Sequence, residues 1–159
     1  MNEPRQPRLS YWRPDDEQGM VVRTTAAAPA ARDAAVELGI LPEILMENAA
    51  AAAFRQLGTL CPRLAGKQIW LLMGSGNNGG DAACLARYLL DAGACPHVFH
   101  TRPLEHYRNE TAYHLQAARS CGVPFLPVAA LTEPSRALPH PDIVVDGLLG
   151  TGFSGQLRD

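Results

Sequence analysis

The residues best suited to chemistry lie together in one glycine-rich stretch, residues 74–81. In order they are Gly74, Ser75, Gly76, Asn77, Asn78, Gly79, Gly80 and Asp81. Glycine lets the backbone adopt positive φ angles and come close to a ligand. The two asparagines and the aspartate add amide and carboxylate oxygens, which suit sugar hydroxyls, amides or a hard cation better than bare phosphate. We therefore predict a ligand-binding turn here, with oxygens available to a cation.

The elements on either side of this stretch must position it. An apolar run at residues 68–73 predicts a buried strand that leads into the turn, and a helical pattern at residues 82–90 predicts a helix that leads out. The free N–H groups at the start of that helix point into the turn, where they favour negative charge. A strand, a glycine turn and a helix in this order predict a site for phosphate or a nucleotide.

Two known phosphate-binding patterns can be compared with this turn. The dinucleotide-binding pattern G-x-G-x-x-G is matched by Gly74, Gly76 and Gly79. Dehydrogenases with this pattern carry an acidic residue at the end of the second strand, but residues 100–102 (His-Thr-Arg) contain none. The P-loop pattern fails because Asp81 stands where a lysine is required. The simpler alternative is a tight turn whose Asn and Asp side chains only cap the helix.

A second candidate stretch begins at Asp146 and continues into another glycine-rich loop. The residues of that loop are Gly150, Thr151, Gly152, Phe153, Ser154 and Gly155. The carboxyl ends of parallel strands share one edge of a sheet, and ligands bind there. We therefore predict that Asn78 and Asp146, from adjacent strands, hold a monovalent cation between their oxygens. The alternative is that Asp146 is a solvated strand end and the glycines form a flexible loop.

The rest of the chain alternates helices and strands. Helical patterns cover residues 31–38, 42–57, 79–91 and 104–121, and strand patterns cover residues 68–73, 96–100, 123–127 and 142–146. This alternation predicts an α/β domain with a mainly parallel sheet and right-handed crossovers. Residues 142–146 are apolar on both faces, which is typical of a central strand with helices above and below. Since four strands make a thin doubly wound sheet, we expect the chain to be the front part of a larger domain.

Composition narrows the class of protein. The chain has 159 residues, a net charge of −2 and 47% hydrophobic residues, which fits one soluble globular domain. The charge argues against nucleic-acid binding, and no apolar run reaches the roughly 18 residues that cross a membrane.

Residues 1–23 are polar, contain Pro4, Pro7 and Pro14 and lack periodicity, so they predict a flexible N-terminal arm.

Neither the cysteines nor the histidines show a metal-binding spacing. They are Cys61, Cys84, Cys95 and Cys121, and His97, His100, His106, His114 and His140. No two cysteines are separated by two residues, as in zinc or redox motifs, and no histidine pair has the spacing of metal ligands. We expect the cysteines to be buried free thiols in a reducing cytosol. We expect the histidines to lie at the surface or in supporting positions.

Three stretches together resemble a known family. They are residues 45–50 (Leu-Met-Glu-Asn-Ala-Ala), 76–81 (Gly-Asn-Asn-Gly-Gly-Asp) and 146–152 (Asp-Gly-Leu-Leu-Gly-Thr-Gly). They resemble the NAD(P)H-hydrate epimerases, the YjeF N-terminal domain family, over residues 24–159. The resemblance implies a Rossmann-like three-layer α/β/α sandwich that commonly forms homodimers. It also implies epimerisation of the R and S forms of hydrated NADH and NADPH, after which a partner NAD(P)H-hydrate dehydratase restores the cofactor from the S form.

The resemblance also implies a set of site residues. The hydrate would be lined by Asn77, Asn78, Gly79, Gly80 and Asp81. The nucleotide phosphates would be wrapped by Gly150, Thr151, Gly152, Phe153, Ser154, Gly155 and Gln156. A potassium ion would be held by Asn78 and Asp146.

This chain departs from the family's pattern in three ways. Ala50 and Ala82 stand where the family usually has glycine, and these changes could narrow the loop and weaken binding. The family's acid/base aspartate, in an Asp-x-Pro-Ser-Gly-like run, has no match up to residue 159. We therefore expect a C-terminally incomplete domain with impaired activity on its own. Two alternatives stay open: a non-catalytic nucleotide-binding or scaffold module of the same fold, and a plain NAD(P)-dependent oxidoreductase.

Overall fold

The computed structural model describes residues 27–133 and 138–150. The predicted flexible arm at residues 1–23 lies outside the described residues, as do residues 134–137 and 151–159. The described elements are α1 (Ala27–Glu37), α2 (Pro42–Leu60), β1 (Gln68–Met73), α3 (Asn77–Asp91), β2 (Cys95–His100), α4 (Asn109–Ser120), β3 (Phe125–Pro127) and β4 (Ile143–Gly147). Short 3₁₀ helices at Leu104–His106 and Val128–Thr132 follow β2 and β3. In this part of the chain, no helix is both long and apolar enough to cross a membrane.

The four strands form one parallel sheet in the order β3-β2-β1-β4. The α/β fold with a parallel sheet that the sequence predicts is confirmed. β1 lies between β2 and β4, with Leu72 beside Phe99 on one side and beside Asp146 on the other. The turns that follow β1 and β4 therefore leave the same edge of the sheet.

One face of the sheet is buried by a layer of helices. Ile69, Leu71 and Met73 alternate along β1 and are fully buried against α3. Burial of each such side chain contributes about 1.5–3 kcal/mol. The buried residues of α3 include Ala82, Ala83 and Ala86, whose small side chains let this helix lie close to the strands. The helices α2 and α4 pack against α3 and complete the layer.

The opposite face of the sheet carries large side chains that range from the fully buried Phe99 to the exposed Val144. Trp70 meets Phe99 edge to face, with ring centroids 5.1 Å apart, while Val144 on β4 is 54% exposed. Two layers of the predicted three-layer sandwich are described, and the third stays a prediction. In the described sheet β4 is an end strand paired with β1 alone, and a second neighbour for this strand, apolar on both faces, stays a prediction.

Most helix boundaries differ from the sequence prediction by one to five residues, and two of the differences have a clear local cause. Helix α2 continues to Leu60, past the expected stop at Gly58, because that glycine keeps a helical backbone and an interior glycine costs only about 1 kcal/mol. The helix predicted over residues 104–121 is divided, and α4 begins only at Asn109. Tyr107 and Arg108 have extended backbones, which end the 3₁₀ helix at His106.

Candidate functional site

The turn between β1 and α3 starts the helix without a side-chain cap. Gly76 occupies the cap position with an extended backbone (φ −99°, ψ −167°), and its carbonyl accepts from the N–H groups of Gly79 and Gly80. The cap position therefore carries no side chain. The N–H groups of the first helical turn point toward the edge of the sheet, where they favour a negatively charged group.

Gly74 brings the backbone of this turn into direct contact with the β4 turn, and Gly79 lets the same turn fold closely onto itself. A Cβ atom on Gly74 would lie 1.9 Å from the carbonyl oxygen of Leu148, and one on Gly79 would lie 2.0 Å from the carbonyl oxygen of Gly74. The N–H of Gly74 also donates to the carbonyl of Gly147 at 3.0 Å. Both positions require glycine because any side chain would overlap with backbone atoms.

The side chain of Asn78 fastens the two turns together. Its Nδ2 donates to the carbonyl oxygen of Leu149 at 2.7 Å. A Cβ on Gly147 would lie 2.9 Å from the Asn78 carbonyl oxygen, and one on Gly150 would lie 3.6 Å from the Asn78 side chain. Asn78 therefore binds the β4 turn rather than capping its own helix, so helix capping alone does not account for this residue.

Asp146 stands at the end of β4 and turns back onto the same segment. Its Oδ1 accepts from the N–H of Leu148 at 2.9 Å. Asp146 and Asn78 thus hold successive residues of one short turn, and both lie at the carboxyl edge of the sheet. We call this place, formed by residues 74–81 and 146–150, the carboxyl-edge site. Within the described ranges, Asn78 Oδ1 and Asp146 Oδ2 accept no hydrogen bond, so both oxygens keep lone pairs for a ligand.

Asp81, the last residue of the 74–81 stretch, has an unusual pKa. It lies in α3 just beyond the first helical turn and is only partly exposed. Burial raises the pKa of Asp81 to about 6, because a desolvated carboxylate is less stable than the neutral acid. This carboxyl group can therefore take up or release a proton close to neutral pH.

Comparison with known proteins shows which family this chain matches. The family described as YjeF-related protein N-terminus matches residues 42–159. The chain belongs to this family. The match begins at α2 and extends through both turns of the carboxyl-edge site.

Individual relatives of this YjeF-related chain carry consistent names. An NAD(P)H-hydrate epimerase of Rhodopirellula baltica is 37% identical over 115 residues, which cover 72% of this chain and 46% of the relative. An NAD(P)H-hydrate epimerase of Nitrosopumilus maritimus is 32% identical over 124 residues, covering 77% of this chain and 56% of the relative. A bifunctional NAD(P)H-hydrate repair enzyme of Coxiella burnetii is 36% identical over 124 residues, covering 78% of this chain and 24% of the relative.

A solved structure agrees with the fold. The crystal structure of yeast ynu0 superposes on the YjeF-related chain with a TM-score of 0.69 at 25% identity, covering 88% of this chain and 61% of the yeast chain. The chain spans about half the length of the two epimerases named above. The comparisons therefore establish the family and the fold.

The remaining predicted site residues of the YjeF-related chain fall into three groups. Asn77 is exposed beside the turn. Gly80 is buried, and a Cβ there would lie 2.6 Å from Met46 Sδ and 2.7 Å from Thr111 Oγ1, so its described contacts serve helix packing. The residues that lie outside the described ranges are Thr151, Gly152, Phe153, Ser154, Gly155 and Gln156. The predicted ligand contacts of all these residues stay predictions.

Two residues that support the carboxyl-edge site were missed by the sequence analysis. Thr101 donates to the carbonyl of Met73 through both its N–H and its hydroxyl, at 3.1 and 3.2 Å. The buried Tyr107 hydroxyl donates to the same carbonyl at 3.3 Å. These bonds fix the last residue of β1, from which the glycine turn departs. The position of Thr101 just after β2 was a usable signal, whereas Tyr107 was hidden within an apparent helix.

The cysteines and one histidine correct the sequence analysis. All four cysteines are free, but only Cys84 is buried, while Cys61 and Cys95 are half-buried and Cys121 is exposed. His114, expected at the surface or in a supporting position, is 1% exposed and lies between α2 and α4. Sequence spacing could not reveal this environment, because residues of α2 and α3 surround a histidine of α4.

Proposed function

We propose that the carboxyl-edge site binds hydrated NADH and NADPH and that the domain interconverts their R and S forms. The observation that carries the proposal is the direct contact between the two glycine turns, fastened by Asn78. These two turns contain the motifs on which the resemblance to the epimerases rests. The relatives named NAD(P)H-hydrate epimerase support the same function.

The glycine turns suit a dinucleotide. The start of α3 offers backbone N–H groups and the positive end of a helix dipole to the phosphates. Residues 150–156, which begin three positions after the end of β4, are proposed to wrap the phosphates from the other side. Asn77, Asn78 and Asp81 offer amide and carboxyl groups to the hydroxyl and amide of the hydrated nicotinamide ring. Asp81 is suited to exchange a proton because its pKa of about 6 lies close to neutral pH.

A potassium ion is the cofactor that we propose for this site. The described residues fit such a group, because Asn78 and Asp146 face one turn and each keeps an oxygen without a hydrogen-bond partner in the described ranges. Amide and carboxylate oxygens are ligands that hard cations prefer. The ion would supply positive charge near the nucleotide, while Asn78 and Asp146 hold the β4 turn in position.

An oxidoreductase function is less well supported. Dinucleotide dehydrogenases hold the ribose with a carboxylate at the end of the second strand. Here residues 100–102 lack one. Thr101 is instead engaged with the carbonyl of Met73, and His100 Nδ1 lies 2.7 Å from the carbonyl oxygen of Arg102. Thr101 and His100 thus contact backbone carbonyl groups, and neither supplies the carboxylate.

The epimerase proposal includes a partner and a location. Several relatives are named bifunctional NAD(P)H-hydrate repair enzymes. We propose that this chain works with an NAD(P)H-hydrate dehydratase that consumes the S form. We further propose a homodimer in the cytoplasm, where hydrated nicotinamide cofactors would arise and where free thiols stay reduced.

A coupled assay tests the function. A mixture of R and S NADPH hydrate is incubated with an S-specific dehydratase until the S form is exhausted, and this chain is then added. We expect consumption of the R form to rise in proportion to the amount of chain, at a rate below that of a full-length relative, in keeping with the impaired activity expected from the sequence. The matched control is the Asp146→Asn variant, which removes a proposed ligand without changing side-chain size.

The outcomes separate the possible functions. Faster consumption of the R form by the parent chain but not by the variant supports the epimerase. Binding of NADPH hydrate without any consumption would favour a non-catalytic nucleotide-binding module. Neither binding nor consumption would contradict the proposal.

A further inference from the structure

A second cluster of chemically active side chains lies between the helices, apart from the carboxyl-edge site. Glu47 of α2, Cys84 of α3 and His114 of α4 each direct one ligand atom to a common point, and these three atoms all lie within 4.8 Å of one another. Cys84 and His114 are 0% and 1% exposed. We propose that Glu47, Cys84 and His114 bind a thiolate-preferring divalent metal, best matched by zinc, which clamps the three helices together.

The orientation of His114 is the main argument. Its Nε2 lies 3.0 Å from the backbone carbonyl oxygen of Glu43, which can only accept a hydrogen bond, so Nε2 carries the proton. The other nitrogen, Nδ1, is buried and has no hydrogen-bond partner in the described part of the chain. A histidine that donates one N–H to a backbone carbonyl and aims the other nitrogen inward has the arrangement typical of a metal ligand.

The distances between the ligand atoms agree with a tetrahedral zinc ion. Cys84 Sγ lies 3.4 Å and His114 Nδ1 lies 3.6 Å from Glu47 Oε2. Usual zinc bond lengths place a sulfur and an oxygen ligand about 3.5 Å apart, and a nitrogen and an oxygen ligand about 3.3 Å apart. Three protein ligands would leave a fourth position for water. These two distances are within a few tenths of an ångström of the zinc values, and the third, between Cys84 Sγ and His114 Nδ1, is no more than 4.8 Å.

Neighbouring side chains orient the Glu47 carboxylate and keep it ionised. The hydroxyl of Tyr88 donates to Oε1 at 2.6 Å and fixes the carboxylate, leaving Oε2 directed at Cys84 and His114. Burial raises the pKa of Glu47, but hydrogen bonds from Tyr88 and Cys84 and the charge of Arg87 together hold it below its usual value. Glu47 is therefore ionised at neutral pH.

Arg87 competes with a metal for the same oxygen. Its Nη2 donates to Glu47 Oε2 and lies 3.4 Å from Cys84 Sγ. The Arg87 side chain is 25% exposed, so it can turn toward solvent, and its buried Nε has no partner within the described ranges. We therefore expect Arg87→Gln to tighten metal binding, because the substitution removes a competing positive charge.

Metal binding must displace a proton from Cys84. Burial raises the pKa of this thiol to about 12, so at neutral pH it is protonated and its proton passes to solvent when the metal–sulfur bond forms.

Cobalt and zinc titrations test the site in the full 159-residue chain. The background chain carries Cys61→Ser, Cys95→Ser and Cys121→Ser, so that Cys84 is its single thiol. One equivalent of Co²⁺ is expected to give a thiolate-to-cobalt charge-transfer absorption that Zn²⁺ abolishes. Zinc at a hundredfold excess over its dissociation constant is expected to raise Tm by roughly 5–10 °C.

Matched variants test whether the cobalt absorption and the Tm shift arise from the cluster of Glu47, Cys84 and His114. In the same background, Cys84→Ser and His114→Gln are expected to lose both the absorption and the Tm shift. His97→Gln is the control, since His97 Nδ1 also lacks a partner in the described part of the chain but belongs to no such cluster there, and this variant is expected to keep both signals.

Two results would overturn the proposal. One is the absence of a charge-transfer band in both the background chain and the parent chain, whose folding does not depend on any substitution. The other is a band that survives Cys84→Ser or is lost equally in His97→Gln. Both readouts are independent of epimerase activity, so the metal site can fail while the proposed function stands.

Discussion

Single residues at the carboxyl-edge site combine opposing demands of stability and function. Asp81 is the clearest example, because burial raises its pKa from 3.8 to about 6. The folded protein therefore holds this proton between about pH 4 and 6, where the unfolded chain has already released it. Stability consequently falls as the pH rises through this interval and stays reduced above it. A carboxyl group kept at such a cost is expected to serve ligand binding or proton transfer.

The variant Asp81→Asn removes the loss of stability that comes from burying an ionised carboxylate. We expect it to be more stable than the parent chain at pH 7 by about 1–2 kcal/mol, a value reduced for partial solvent screening, and equally stable below pH 4. Urea unfolding of both chains over a pH series measures the difference. A stability difference that does not change with pH would show that the Asp81 charge is not its cause.

At the scale of elements, the glycine turns act as joints between strand and helix. Gly74 and Gly76 share one turn, yet a Cβ on Gly74 would overlap with Leu148 whereas a Cβ on Gly76 would meet nothing within 4 Å. The neighbouring connections use glycine differently, since Gly39, Gly93 and Gly122 follow helices with positive φ angles. The role of each glycine thus depends on its backbone and its neighbours.

Substitution of Gly74 by alanine tests the contact between the two turns. We expect Gly74→Ala to lower the free energy of unfolding by about 2–4 kcal/mol, because either the β4 turn or the strand end must move. Gly76→Ala is the matched control in the same turn and is expected to change stability by less than about 1 kcal/mol. Thermal unfolding of both variants measures this, and equal losses would mean that the turns are not in contact.

Helix α2 offers a stabilising substitution. Gly58 lies inside this helix without a positive φ, and a Cβ there would meet no atom within 4 Å. We expect Gly58→Ala to raise the free energy of unfolding by about 0.5–1 kcal/mol. Gly39→Ala should instead lower it by about 1 kcal/mol, because φ at Gly39 is +87°. Denaturant unfolding curves compare the two, and a destabilised Gly58→Ala chain would indicate that α2 ends at Gly58 in solution.

At the scale of the whole molecule, the sequence predicted the sheet more reliably than the helix layer. The β1 bounds were predicted without error, because six apolar-rich residues precede a glycine turn. The adjacency of β1 and β4 followed from the need of Asn78 and Asp146 to share an edge. The break at Tyr107 and the cluster of Glu47, Cys84 and His114 were not predictable, since both depend on contacts between residues at least 30 positions apart.

The account rests on one claim, that the turns after β1 and β4 form a single nucleotide site that requires a cation. Calorimetric titration of NADP⁺, a stable analogue of the hydrate, in potassium chloride and in choline chloride at equal ionic strength tests it most directly. Asn78→Ala and Asp146→Asn are compared with Asp142→Asn, a control at the opposite end of the same strand, where Asp142 pairs with Lys67.

We predict that the parent chain and Asp142→Asn bind NADP⁺ more tightly in potassium chloride than in choline chloride. We predict that Asn78→Ala and Asp146→Asn each weaken binding in potassium chloride by about 10- to 100-fold and abolish the difference between the two salts. Binding that is equally tight in both salts, or unchanged in both variants, would contradict the claim.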